Sequence, residues 1–468
     1  MRAIKRFGLS CLLLLLIACS STAEEPANTI SEDTTDTTSS VAADIPTVPA
    51  TAVPEPTVEA TLPPPVVVAE DEGEAADTPD EAAATEDTVV EEAVAEESPD
   101  AAPAADLPVI NPVGYADGFG YGIQSHATIG DPAYAMEVIS NQLNLSWVKV
   151  QMRWAVVQSQ PDVYDWGIWD AIVNEAEAKG LKLMFSIVTS PTWSRAAGDE
   201  HGPPDDYNLY HQFVAEVATR YQGRVHAIEV WNEQNLDREW RTAQGVAPIT
   251  YVEFLQGAYG AIKAVDPNIV VISGALSPTG LHDPNKITYM NDMIWFDEAL
   301  SLGMLDSVDC VGVHHNGYNL PPDVEFDQTG GVAGSDTFVF RGPFDNPHES
   351  WSFKTTLRLM AEKSQAVDPD MKICITEFGW ATAEGYDQHP QAFEWVLDNT
   401  LDTQATHIVD AFTQMRASGD VLLAFLFNFD YGPKGNGPTD DNVPYSILDT
   451  SGIPRAAFGA IGGMEKTP

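Results

Sequence analysis

The stretch Val421–Asn428 reads VLLAFLFN and carries seven apolar residues in a row before its first polar one. The stretch Ile269–Gly274, IVVISG, has the same character. Such runs are typical of parallel strands that are covered on both faces. Short apolar runs alternate with amphipathic segments along the chain. The eight runs predicted as strands are Phe119–Gln124, Trp147–Met152, Lys182–Val188, Val225–Glu233, Ile269–Ala275, Asp309–His315, Lys372–Phe378 and Val421–Asn428.

A helical segment follows each predicted strand or precedes the next one. Gly180, Gly223, Gly303 and Gly419 each lie shortly before a strand, where a left-handed helix C-cap is expected. Eight βα units with right-handed crossovers favour a closed (β/α)8 TIM barrel over a doubly wound open sheet. The predicted helices are Pro132–Leu143, Trp169–Lys179, Tyr207–Tyr221, Tyr251–Val265, Ile287–Leu302, Ser352–Val367, Gln404–Ser418 and Pro454–Gly462.

The first nineteen residues have the pattern of a secretion signal. Arg2–Arg6 is basic, and Leu9–Ile17 is apolar but too short to span a bilayer stably. Leu16–Cys19 resembles a bacterial lipobox, which implies cleavage before Cys19 and lipid attachment to its sulfur. The resemblance predicts an extracytoplasmic, cell-surface lipoprotein anchored to the membrane. An ordinary signal peptide that contains a cysteine is the alternative.

The segment from residue 20 to residue 106 holds 23 acidic residues, no Lys or Arg and no aromatic residue. It cannot bury enough apolar surface to offset chain entropy, so it is predicted to be a disordered acidic linker. Residues 107–468 remain for the barrel and hold 20 basic and 47 acidic residues. This balance argues against nucleic acid as a partner. Cys310 and Cys374 fall inside predicted strands and are expected to be buried thiols.

Two short motifs place a glutamate at the end of a predicted strand. Trp231–Asn235 reads WNEQN at the end of the fourth run, and Thr376–Trp380 reads TEFGW at the end of the seventh. The carboxyl ends of barrel strands are where active groups gather. A carboxyl pair beside aromatic side chains suits glycosidic bond cleavage, because one group protonates the leaving oxygen while the other attacks or stabilises the anomeric carbon.

The first motif resembles the Asn-Glu signature of clan A glycoside hydrolases, especially family 39, and the second resembles their nucleophile motif. The similarity extends in strand order over residues 107–468. It implies a retaining double displacement on a β-linked glycan, with Glu233 as acid/base and Glu377 as nucleophile. Gln234 stands where proline is common in the family. No cofactor, metal or obligate protein partner is implied.

The resemblance also implies roles for residues around the pair. Asn232 is expected to bond the 2-hydroxyl of the cleaved sugar. Arg153 is expected to supply a cation that lowers the pKa of Glu377. At the end of the sixth run, His315 rather than its neighbour His314 is favoured as the partner of the nucleophile, and His126 is a further candidate for substrate contact at the rim.

The protonation states of the two carboxyl groups are predicted to differ. The acid must be protonated, and Trp231 and Asn232 could give Glu233 an apolar wall. Glu229 shares inward parity with Glu233, and a lone buried charge is costly. Glu229 is therefore expected to pair with Lys149 or Arg153 as structural support.

Aromatic residues cluster after the strand runs. Trp154, Trp193, Trp240 and Trp380 are predicted at the catalytic rim, and at least two of them are expected to contact substrate. Clan A enzymes commonly have a tryptophan at the end of the eighth strand, whereas this chain has Phe427-Asn428-Phe429. Phe427 or Phe429 is the expected replacement.

The loop Tyr318–Ser350 and the segment Ala381–Asn399 could form the walls of an extended cleft. This favours an oligo- or polysaccharide substrate and endo action, while exo-acting β-xylosidase or arabinofuranosidase chemistry and transglycosylation remain open. The alternative from another functional class is a non-catalytic surface carbohydrate-binding lipoprotein on a degenerate barrel.

Overall fold

A computed structural model describes residues 118–466, which form a ring of eight parallel strands with helices outside it. The strand order is β5-β4-β3-β2-β1-β8-β7-β6. Parallel bridges from Ile272 to Cys310 and from Leu276 to Val313 join the two ends and close the barrel. The predicted (β/α)8 fold is confirmed. The strands are β1 Gly120–Gln124, β2 Trp147–Arg153, β3 Lys182–Val188, β4 Val225–Val230, β5 Val270–Ser273, β6 Val311–Gly317, β7 Ile373–Trp380 and β8 Val421–Leu426.

The helices agree with the sequence pattern and differ mainly at their ends. The helix predicted to begin at Ile287 begins at Asp292 instead, because the side chain of Asn291 caps its N-terminus. Gly419 has the left-handed conformation at the C-cap that its position predicted. The helices are α1 Pro132–Glu137, which continues as a π-helix over Val138–Gln142, α2 Gly167–Ala178, α3 Tyr207–Arg220, α4 Pro248–Val265, α5 Asp292–Ser301, α6 Phe353–Val367, α7 Leu401–Ser418 and α8 Ala456–Gly463.

The strand end that carries the first glutamate differs from the prediction. β4 stops at Val230, three residues before Glu233. Trp231 and Glu233 have φ angles of 77° and 43°, which non-glycine residues rarely adopt, and which end the strand. Such a conformation costs on the order of 1–3 kcal/mol and is concentrated at functional sites.

An apolar layer fills the inside of the barrel below the glutamates. It includes Met184, Ala227, Phe425 and the two cysteines. The prediction of free thiols was wrong, since Cys310 and Cys374 form a disulfide. Neighbouring positions on the β6 and β7 side of the ring bring their Cα atoms to 5.8 Å, well within the range for a disulfide.

The predicted signal peptide, the lipidation site at Cys19 and the acidic linker lie outside the described residues. Within residues 118–466, none of the helices is both long enough and apolar enough to cross a membrane.

Candidate active site

Glu377 lies within β7 and is 6% exposed. Lys149 of β2 donates from Nζ to Glu377 Oε1 at 3.1 Å and to the carbonyl oxygen of Thr376 at 3.1 Å. Asn316, at the end of β6, donates from Nδ2 to Glu377 Oε2 at 3.4 Å. Both carboxylate oxygens therefore have a protein partner, and one of these is a cation inside the barrel.

A local irregularity of β7 turns Glu377 into the barrel. Cys374 faces the interior, so the two-residue period of a strand would send Glu377, three positions later, to the outer face. The pairing between β6 and β7 shifts by one residue after Ile375, so that His314 lies opposite Glu377. Thr376 is the extra residue, and a bulge of this kind re-aims the side chain that follows it.

Lys149 is fully buried and holds two carboxylates at once. Its Nζ lies 3.4 Å from Glu229 Oε2 as well as 3.1 Å from Glu377 Oε1. Burial lowers the pKa of Lys149, but the charges of Glu229 and Glu377 outweigh it and the pKa is raised. Lys149 is therefore charged at neutral pH. Of the two cations predicted as partners of Glu229, Lys149 is the one that pairs with it.

Glu233 lies beyond the end of β4 and is 8% exposed. Arg238 donates from Nη2 to Glu233 Oε2 at 2.6 Å, and His314 Nδ1 lies 3.4 Å from Glu233 Oε1. Burial raises the pKa of Glu233, but the hydrogen bond from His314 and the charge of Arg238 outweigh it and lower the pKa to about 2. The expected apolar environment that would keep Glu233 protonated is therefore not found.

His314 lies between the two glutamates. Its Nδ1 lies 3.4 Å from Glu233 Oε1 and 4.0 Å from Glu377 Oε2, and its Nε2 lies 3.9 Å from Glu229 Oε1. Burial lowers the pKa of His314, but Glu377 and Glu233 outweigh it and raise the pKa. Two carboxylates from opposite parts of the ring thus converge on one imidazole nitrogen.

The prediction that His315 faces the site was wrong. Cys310 faces the interior, and the two-residue period then turns His314 inward and His315 outward. The His315 ring packs edge-on against Tyr318 and Phe353, with centroids 6.0 and 5.8 Å away. Burial lowers the pKa of His315 to about 4.

The expected role of Arg153 was also wrong. Its side chain is 53% exposed and forms a surface ion pair with Glu200. Arg153 is the last residue of β2, four positions after Lys149, so it projects above the rim. The cation beside Glu377 is Lys149 instead.

Asn232 and His126 lie at the mouth of the barrel as predicted. Asn232 is 6% exposed, and its Oδ1 accepts no hydrogen bond from any residue in the described range. The backbone nitrogen of His126 donates to Asp430 Oδ1 at 2.8 Å, and its ring lies 4.6 Å from that of Tyr431. Asn232 therefore offers an acceptor within the site, while the segment after β8 holds His126.

Most of the predicted tryptophans are packed in the protein. Trp154, Trp240 and Trp380 are each at most 1% exposed, and their indole nitrogens donate within the protein to Gln158, Thr250 and Leu320. They turn toward the helices rather than toward the cleft. Trp193 is half-buried and is the member of the set with an accessible face.

The end of β8 and two long segments supply other aromatic rings. Phe427 is 3% exposed and meets Tyr445 edge-on at 5.8 Å. Tyr318 contacts Trp351 and Trp395, with centroids at 4.7 and 5.2 Å. Trp351 is half-buried in this cluster.

Sequence reasoning missed Arg238 and Glu239. They follow the first motif in a segment without hydrophobic periodicity, so no pattern pointed to them. Arg238 contacts Glu233, and its Nε lies 3.7 Å from Glu239 Oε1. Burial raises the pKa of Glu239 to about 7, although the charge of Arg238 opposes the rise.

Comparison with known sequences finds a match to a family model and to curated relatives. Residues 113–314 match the model of Glycosyl hydrolase family 10. The match includes Glu233 and ends at His314, so Glu377 lies beyond it. A beta-1,4-xylanase from Dictyoglomus thermophilum is 29% identical over 143 residues, which is 29% of this chain and 38% of the relative. The chain therefore aligns with well under half of that relative's length.

Comparison with solved structures finds the same barrel. A family 39 glycoside hydrolase from Bacteroides cellulosilyticus WH2 has a TM-score of 0.53 at 17% identity, over 75% of this chain and 64% of its own. A GH10 structure from Paenibacillus barcinonensis has a TM-score of 0.49 at 15% identity, over 76% and 97%. The family match confirms the resemblance to clan A glycoside hydrolases that the motifs indicated, and the family 39 superposition supports the fold.

Proposed function

We propose that the barrel is a retaining glycoside hydrolase that cleaves a β-linked glycan by double displacement. The observation that carries the proposal is the convergence of Glu233 and Glu377 on His314 Nδ1, at 3.4 and 4.0 Å. Retaining enzymes need the two carboxyl groups roughly 5–5.5 Å apart, closer than inverting enzymes do. The family 10 match supports the reaction class.

The surroundings suit Glu377 to the role of nucleophile, and we assign Glu233 as the acid/base because it is the other carboxyl group of the converging pair. Lys149 and Asn316 hydrogen-bond to the two carboxylate oxygens of Glu377 and hold this side chain in place for attack on the anomeric carbon. Glu233 faces it at the mouth of the barrel. The Oδ1 of Asn232, which accepts no hydrogen bond from residues 118–466, can accept one from a sugar hydroxyl in the same cleft.

Xylan is the first substrate class to test, because the curated relative is named a beta-1,4-xylanase.

We also propose that Cys19 carries a lipid that anchors the enzyme outside the cytoplasm. The proposal is supported by the resemblance of Leu16–Cys19 to a lipobox. Metabolic labelling with a fatty acid should mark the full chain and fail to mark Cys19→Ala.

The function is tested by measuring hydrolysis of xylan, other β-glycans and aryl β-glycosides by the wild type, Glu233→Ala and Glu377→Ala. We expect Glu377→Ala to lose roughly 10⁴-fold or more in kcat, as when other nucleophiles are removed. Azide should restore Glu377→Ala turnover with inverted product, and NMR should show retention for the wild type. Glycan binding with no hydrolysis by any of the three proteins would instead support a carbohydrate-binding role.

A further inference from the structure

Glu233, Arg238 and Glu239 form a unit in which one cation lies between two carboxyl groups. Arg238 Nη2 is 2.6 Å from Glu233 Oε2, and Arg238 Nε is 3.7 Å from Glu239 Oε1. The arginine lies in the segment after β4 and its side chain is 21% exposed. Arg238 therefore lies within ion-pair distance of both carboxyl groups.

The protonation of this unit is the reverse of what acid catalysis requires. Burial raises the pKa of Glu233, but His314 and Arg238 outweigh it and lower the pKa to about 2. Burial raises the pKa of Glu239 to about 7. At neutral pH Glu233 is therefore ionised and Glu239 is partly protonated, whereas a general acid must itself hold the proton.

We propose that Glu239 is a positioning residue that takes Arg238 away from Glu233 when a glycan enters the cleft, so that Glu233 becomes the protonated acid. Glu239 loses one proton and Glu233 gains one, while Arg238 keeps its charge. The net charge of the unit is the same before and after. This inference rests on the proposed function of Glu233 as acid/base.

Charged groups on other elements lie near this unit and shift the pKa values of its carboxyl groups. Glu377 from β7 raises the pKa of Glu239, and His314 from β6 lowers it. Burial and the charge of Asp440 raise the pKa of Asp441, in the segment after β8, to about 6, although Arg238 lowers it. The charge of Asp441 also reaches Arg238, so it belongs to the same electrostatic environment.

Titration of the full chain tests the movement of Arg238 without any substrate. With ¹³C-labelled glutamate, infrared difference spectra of the wild type should show one carboxyl group titrating near pH 7, and Glu239→Gln should lose it. In Glu233→Gln, the charge that competes for Arg238 and raises the pKa of Glu239 is removed, so the pKa of Glu239 should fall by about 1–3. An unchanged pKa would overturn the inference. Asp237→Asn, which removes a carboxyl group of the same segment, should leave the titration as in the wild type.

Kinetics test the consequence for catalysis. Glu239→Gln should slow hydrolysis of xylo-oligosaccharides, whose leaving groups need an acid, by about 10²-fold relative to dinitrophenyl β-xyloside, whose leaving group does not. Adding Arg238→Met to Glu239→Gln should move that ratio back toward the wild-type value, because one of the two groups that lower the pKa of Glu233 is gone and only His314 remains.

The outcomes separate this inference from the proposed function. If the wild type hydrolyses both substrates and Glu239→Gln keeps the wild-type ratio and pH profile, the role of Glu239 is refuted and the hydrolase remains. If the wild type hydrolyses no glycoside, the proposed function fails, and the catalytic role of Glu239 fails with it, whatever the titration shows.

Discussion

The two glutamates occupy similar motifs but are held in opposite ways. Glu377 lies within β7, and its cation, Lys149, projects from another strand in the barrel interior. Glu233 lies beyond the end of β4 with a φ of 43°, and its cation, Arg238, comes from the adjoining segment. A nucleophile must stay ionised until it attacks, whereas an acid/base must gain and lose a proton. A fixed cation suits the first task and a movable one suits the second.

Removing the fixed cation should have the largest effect on stability. Lys149→Met leaves Glu229 and Glu377 buried without their shared partner, and we expect a loss of about 3–5 kcal/mol in the free energy of unfolding. Urea unfolding at pH 7 measures this. Lys149→Met/Glu229→Gln should regain part of the stability but not the activity. A Lys149→Met protein as stable as the wild type would contradict the fixed ion pair.

The disulfide below Glu377 adds a second constraint to the same side of the barrel. It closes a segment of sequence separation 64. On the chain-entropy model, Cys310→Ala/Cys374→Ala should lose up to about 4 kcal/mol of stability. We expect kcat at 25 °C to be unchanged, because the bridge lies in the apolar layer beneath the site. A fall in kcat without loss of folded protein would show that it also positions β7.

The ion pair of Glu233 should make the stability of the protein depend on pH in the acid range. The pKa of Glu233 is about 2 in the folded protein against an ordinary value of 4.5. A lowered carboxyl pKa contributes stability that is present above about pH 4.5 and is lost as the pH falls toward 2, here on the order of 3 kcal/mol. Urea unfolding at pH 7 and at pH 3 should show a smaller loss of unfolding free energy for Glu233→Gln than for the wild type. Parallel curves for the two proteins would contradict the lowered pKa.

The smallest effect is expected at Arg153, which ends the same strand as Lys149. Its ion pair with Glu200 is on the surface, where such pairs contribute about 0–1 kcal/mol. Arg153→Met should therefore keep the stability and the activity of the wild type. It is the matched control for Lys149→Met, since both replace a β2 cation with methionine. A large loss of activity in Arg153→Met would return this residue to the site.

Much of the architecture could be predicted because buried strands and helix ends have characteristic residue patterns. The apolar runs of β3 and β8 and the C-cap at Gly419 were recognisable, since they depend on neighbours in the chain. The bulge at Thr376 was not, because it depends on the fit of β7 between two other strands. The orientation of Trp154 and Trp380 was missed for a similar reason, as a tryptophan after a strand can face the helices or the cleft.

The sequence by itself determined the barrel, the positions of Glu233 and Glu377 at its rim and the pairing of Glu229 with a cation of β2. The apolar runs are visible in the sequence itself, and a charge buried in a barrel needs a partner whatever the detailed structure. Both could therefore be predicted without coordinates. Only the tertiary structure decided that His314 rather than His315 faces the carboxylates, that Cys310 and Cys374 are bonded, and that Arg238 holds Glu233. These depend on which side chains meet across the closed ring, and distances between distant parts of a chain are set by the fold as a whole.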